Sequence, residues 1–319
     1  MAETTEVAAA MENVVIRSGD CAVTFLPSFG GKIASIIVRG RELLQTPLAP
    51  YGPRTQTMIF EEADASGWDE CLPTVDACTV DTAAGPVPIP DHGDLWRVPW
   101  ELGASSSLCA SFRARCFSLP LELQRTSTLL ATEVGWRLRT DYQVANTSDG
   151  PVPWSWTAHP SFTAEAGDRI LLPESIHELR LAYSRGGRLG QLNARVSWPV
   201  ASLPQGGSTD LSLAQALESA IGEKLFAGPL TANENWAALE RPRAGLRIRF
   251  RFDVEATPYL GLWLCYGGWP DRPGPKQTCV TLEPSTTAFD SLAQTGPWSR
   301  VLAPGQSFSW LMIVEIESI

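Results

Sequence analysis

Apolar and polar residues alternate with a period of two through much of this chain. From Glu133 to Ala145, Val134, Trp136, Leu138, Thr140, Tyr142 and Val144 alternate with Gly135, Arg137, Arg139, Asp141 and Gln143, which predicts a long strand with one buried face. Leu246, Ile248, Phe250 and Phe252 alternate with Arg247, Arg249 and Arg251 in the same way. Short β-branched runs at residues 13–16, 22–26 and 32–38 are separated by glycine and polar turns and read as a hairpin or meander. Two or three further strands are expected between Leu108 and Leu130, and a last apolar strand over 307–316. One helix is predicted: Asp210 can cap LSLAQALESAI, with Leu213, Leu217 and Ile221 on one stripe and Gly222 as the stop. No linker and no solenoid-period repeat divides the chain. The expectation is a single antiparallel all-β domain with few short helices over 13–319, behind a loosely attached tail at 1–12.

Charge and composition narrow the partners. The net charge of −10 argues against nucleic acid and anionic membrane surfaces. No apolar run reaches the ~18 residues of a membrane span, and the first fifteen residues lack a basic leader, so a cytoplasmic location is expected. Seven cysteines without a CxxC spacing read as reduced, mostly buried thiols, and a zinc site is not expected. Twelve tryptophans can fill a β core, and they also stack on sugar rings.

Candidate chemistry concentrates in residues 258–286, two apolar runs joined by a Gly/Pro-rich loop. In the second run Cys279, Thr281 and Glu283 share one face, and Pro284 predicts that the strand stops or reaches an edge. Glu283 is then either a solvent-facing residue of a half-wet sheet or a base held in a cleft. Only three histidines exist. His159 follows Ser155 and Thr157 on one face, opposite Trp154 and Trp156, and precedes Pro160. It repeats the setting of Glu283, a polar residue at an expected strand end. His92 lies between Asp91 and Asp94 in a proline-rich stretch ahead of Trp96 and Trp100, and reads equally as a surface or a functional residue. His177 is expected to be exposed. No GxSxG, GxxxxGK[ST], HExxH or GxGxxG pattern is present, which leaves acid–base chemistry by a glutamate and histidines among tryptophans.

The segments GGKIASIIVRGRELL, GWDECLPTV, DHGDLWRVPW, WTAHPSF and PYLGLWL…CVTLEPST, in this order, resemble the aldose 1-epimerase (galactose mutarotase-like) family over nearly the whole chain. The resemblance implies a β-supersandwich with a broad cleft and interconversion of sugar anomers without metal or cofactor. By motif, Glu283 matches the family's general base, His159 its general acid and His92 its second substrate-binding histidine. Arg54, Asp69, Glu70, Trp96, Glu223, Lys224 and Trp263 are the further candidate substrate contacts. The implied partner is a monosaccharide or sugar derivative, handled by a monomer or homodimer. Three alternatives stand beside this reading. One is a non-catalytic sugar binder or sensor, another a hexose-phosphate epimerase, and the last a lyase or hydrolase pairing Glu283 with Asp69, Glu70 or Glu223.

Overall fold

The computed structural model describes residues 12–82, 85–294 and 300–319; the expected tail at 1–12 lies, apart from Glu12, outside them. The alternating segments pair into two large antiparallel sheets. The smaller, of eight strands, is built on the hairpin Leu121–Thr132 and Gly135–Asn146, flanked by Ser307–Ser318 and Leu246–Phe252. Its outer face carries the charges of the alternating pattern, such as Arg137 bonded to Glu315 at 2.9 Å. Its inner face carries Leu138, Tyr142, Phe250 and Val314.

In the larger sheet, of eleven strands, Lys32–Val38, Trp68–Cys71, Thr157–Thr163, Thr278–Ser285, Tyr259–Tyr266, Ile221–Ala227 and Glu178–Ser184 lie side by side in that order. One face packs on the smaller sheet, where the Phe162 and Phe250 rings meet edge-on at 5.7 Å. Each such fully buried side chain contributes roughly 1.5–3 kcal/mol. The same interior holds one polar cluster. Glu70 accepts from Arg125 at 3.1 Å, the Tyr142 hydroxyl at 3.0 Å and the Trp156 indole at 2.9 Å. The other face of the sheet is covered by loops, and the strand alternation therefore divides residues between core and covered face.

Two expectations change. The segment after Asp210 is not a helix: Leu213 bridges to Arg169, and the Ala214 N–H donates to the Asp168 carbonyl. Asp210 caps a turn instead, accepting from the Ser212 N–H at 2.9 Å. Burying Leu211 in the turn and Ala214 beside a neighbouring strand outweighs a local helical stripe. Helices among the described residues are short 3₁₀ turns, and none is long and apolar enough to cross a membrane.

The second change concerns the prolines. Neither His159 nor Glu283 ends a strand; both lie inside central strands that continue past Pro160 and Pro284. The two strands pair at Thr157↔Ser285 and again from Ser161↔Thr281. Pro160 and Pro284 both stand in the intervening stretch, where neither can donate to the ladder. The sheet tolerates them by interrupting its bonds there, beside the two polar side chains.

Candidate functional site

The covered face of the large sheet carries one row of cross-strand neighbours. Asp69 pairs with His159, His159 stands opposite Glu283 between the two registered pairs, and Glu283 pairs with Gly261. Neighbours of this kind share a face, so the imidazole and the carboxyl meet directly, with His159 Nε2 3.8 Å from Glu283 Oε1. The two sequence candidates thus converge as adjacent rungs, His159 lining the cleft and Glu283 buried directly beside it. Glu283 is 0% exposed and His159 7%. Glu283 Oε2 accepts from the Lys224 ammonium, while Oε1 has no hydrogen-bond donor within the protein.

Loops complete the cleft. His92 has a left-handed backbone with φ of +58°, a conformation that costs a non-glycine residue and that persists only where surroundings enforce it. Its N–H donates to the Val75 carbonyl, its Nδ1 lies 2.8 Å from Asp91, and its ring stacks on Phe60 with 3.7 Å between centroids. The His92 and His159 rings meet edge-on at 5.2 Å. Buried Arg97 ties the loop together by donating to the carbonyls of Asp91 and Gly93, and at 2.8 Å to that of Met58 near Phe60. Trp263, Trp269, Tyr183 and Gln277 add to the walls of a cavity of about 580 Å³, in the range of small-molecule sites.

Electrostatics separate the two central groups. Burial first, and then the nearby His92, Lys224 and Lys32, hold His159 well below the ordinary imidazole range, so it rests neutral. Burial raises Glu283 from 4.5 to about 7; Lys224 opposes that rise and Asp290 reinforces it. Lys224 itself loses by burial but gains more from Asp290, 3.3 Å away, and from Glu283, so its proton stays on. One ammonium shared by two carboxylates leaves Glu283 as the member of the cluster that takes up a proton near neutrality.

The structure brings together five of the sequence candidates: His92, His159, Lys224, Trp263 and Glu283. The rest stand elsewhere. Glu70 points into the core cluster. Asp69 shares the row but pairs with Lys32, next to Asp64. Arg54 is held by Asp64 at 2.7 Å, with its guanidinium 5.3 Å from the Trp96 ring. Trp96 is buried behind Phe60. Glu223, next to Lys224 and so on the opposite face, is bonded to Arg188 at 2.8 Å. His177 is exposed. Sequence reasoning did not single out Phe60, Gly261 or Asp290, which lie in irregular or apolar stretches where nothing local marks them. Among the described residues no group of three or more His, Cys, Asp or Glu is placed to hold a metal ion.

The two stacked antiparallel sheets have the galactose mutarotase-like fold. Solved structures share it over nearly their full lengths. A Synechocystis protein matches with TM-score 0.72 at 17% identity, covering 100% of both chains. A galactose mutarotase-like protein from Lactobacillus casei matches with TM-score 0.67 at 14% identity, over 96% of this chain and 100% of that one. A GalM/aldose epimerase homologue from C. elegans matches with TM-score 0.64 at 14% identity, over 97% and 99%. By sequence, no family model and no curated protein matches the chain.

Proposed function

We propose that this protein interconverts the anomers of a neutral aldose by acid–base ring opening, with Glu283 and His159 as its proton carriers. The observation that carries the reading is their apposition at 3.8 Å, His159 lining the cleft and Glu283 buried beside it with Oε1 lacking any protein donor. A pyranose seated there presents O1 and the ring oxygen to the pair. One group removes the O1 proton while the other delivers a proton to the ring oxygen, and the C1–O bond of the ring breaks to give the open aldehyde. Rotation about C1–C2 and closure on the other carbonyl face reverse both transfers, so no proton is gained or lost. Each transfer of this kind is worth about 10²–10⁴-fold in rate.

The resemblance assigns the base role to Glu283 and the acid role to His159. The electrostatics of the resting site favour the proton on Glu283 and a neutral imidazole, and ring opening balances equally in that allocation. His92, held by Phe60 and Asp91, is positioned to contact a ring hydroxyl, and Trp263 and Trp269 offer stacking surface. Charge favours an uncharged sugar. Among the described residues the lining carries Glu61, Asp76, Asp91, Asp271 and Asp290 against Lys224 as its one Lys or Arg, and Lys224 is already held by two carboxylates. A phosphorylated sugar meets repulsion there.

The test is anomer exchange followed by polarimetry or saturation-transfer NMR over a panel of free and phosphorylated aldoses. Acceleration of free sugars is expected. No acceleration of any sugar, combined with sugar-dependent tryptophan fluorescence, would replace this reading by that of a non-catalytic binder.

A further inference from the structure

Gly261 pairs with Glu283 across the sheet, and a Cβ built on it would lie 2.9 Å from Glu283 Oε2 and 3.3 Å from Lys224 Cε. The missing side chain opens the passage through which a lysine on the next strand reaches the glutamate. We propose that Lys224 is a positioning residue for Glu283: its ammonium, crossing above Gly261, clamps Oε2 and leaves Oε1 turned toward His159, with Asp290 as a competing countercharge that sets how firmly the clamp holds. The inference rests on the acid–base reading above and departs from the substrate-contact role that the sequence suggested for Lys224.

Three observations support it. Lys224 is 6% exposed and its ammonium is engaged by two carboxylates, so it has little to offer a ligand. The two oxygens of Glu283 are unequal, one bonded and one without a donor, which is what a one-sided clamp produces. A carboxyl group free to rotate would present either oxygen to the substrate and lose the orientation that proton transfer at hydrogen-bond range requires, whichever way the proton moves. Charged and titratable groups around Glu283 come from every neighbouring element. They are Lys224 from one side, His159 and Cys71 from the other, Cys279 on its own strand, and His92, Asp91, Asp76 and Asp290 from the covering loops. Of these, Lys224 lowers the proton affinity of Glu283 and Asp290 raises it, so removing each one moves the site in opposite directions.

The experiment uses full-length Lys224→Met and Asp290→Asn. The readouts are pH profiles of kcat and KM for anomer exchange and a ¹³C-carboxyl NMR titration of Glu283, assigned by its loss in Glu283→Gln. With Lys224→Met the Glu283 titration is expected to move up by about 1–3 pH units, the effect of deleting an opposite charge at contact. The corresponding limb of the kcat profile moves with it and KM changes little. With Asp290→Asn both move down. An unmoved titration in both variants overturns the clamp. So does a raised KM with an unmoved limb, which would return Lys224 to the substrate. If Lys224→Met fails to fold, the downward movement in Asp290→Asn decides alone. The NMR titration needs no turnover, so a wild-type protein without epimerase activity refutes the proposed function and leaves the clamp to be judged on its own.

Discussion

Replacing Glu283 by glutamine should cost activity and add stability, and the second effect can be worked from the site. The amide keeps the shape of the carboxyl and mimics its protonated form. Glu283 is raised from 4.5 to about 7 in the fold. Between those values the folded protein binds more protons than the unfolded chain, so this residue's contribution falls as pH rises from about 4.5 to 7 and stays low above. At about 1.4 kcal/mol per pH unit the buried carboxylate costs the wild type about 3 kcal/mol at pH 8 and almost nothing at pH 4.5. Glutamine removes that cost, because it never ionises. Urea unfolding of both proteins at pH 5 and pH 8 measures the difference. Near-equal stability at pH 5 and an advantage of about 3 kcal/mol for Glu283→Gln at pH 8 are expected, together with a loss of about 10²–10⁴-fold in anomer exchange. The reasoning is refuted if the variant is the less stable protein at pH 8, or if the gap between the two proteins does not change with pH. Either result would mean that Lys224 stabilises the ionised carboxylate by at least as much as burial penalises it.

Three further outcomes follow from the same geometry. His159→Asn should lower kcat by about 10²–10⁴-fold with folding intact, read by exchange NMR and thermal melting; undiminished exchange would remove the imidazole from the chemistry. Trp263→Ala should raise KM by roughly 2- to 10-fold and leave kcat nearly unchanged, as expected for lost ring stacking; a matching fall in kcat would place the indole in the reaction instead. Arg125→Met, far from the cleft, strands Glu70 between the sheets without its countercharge. Breaking such a buried pair costs about 3–5 kcal/mol, and denaturant midpoints should show a larger loss at pH 8 than at pH 5, where the carboxyl can protonate; equal loss at both would refute that account.

The chain's own pattern determined the all-β class, most of the strands and the face on which Glu283 sits, because strand alternation is a local property that side-chain order alone expresses. It also marked His159, His92 and Glu283 by scarcity and setting. It could not tell which of Asp69 and Glu70 faces the core. Adjacent strand residues must point oppositely, but only packing against the second sheet assigned Glu70 to Arg125 and Asp69 to the covered face. The predicted helix after Asp210 failed for a related reason, since a stripe of leucines suits either period until a neighbouring strand claims its backbone. Register is the property that tertiary structure alone decided. The pairing of Thr157 with Ser285 put the imidazole beside the carboxyl, and the pairing of Glu283 with Gly261 opened the way for Lys224. Cross-strand register depends on which distant segments find each other and on how two prolines share one gap in the ladder, and no local window of the sequence contains that information.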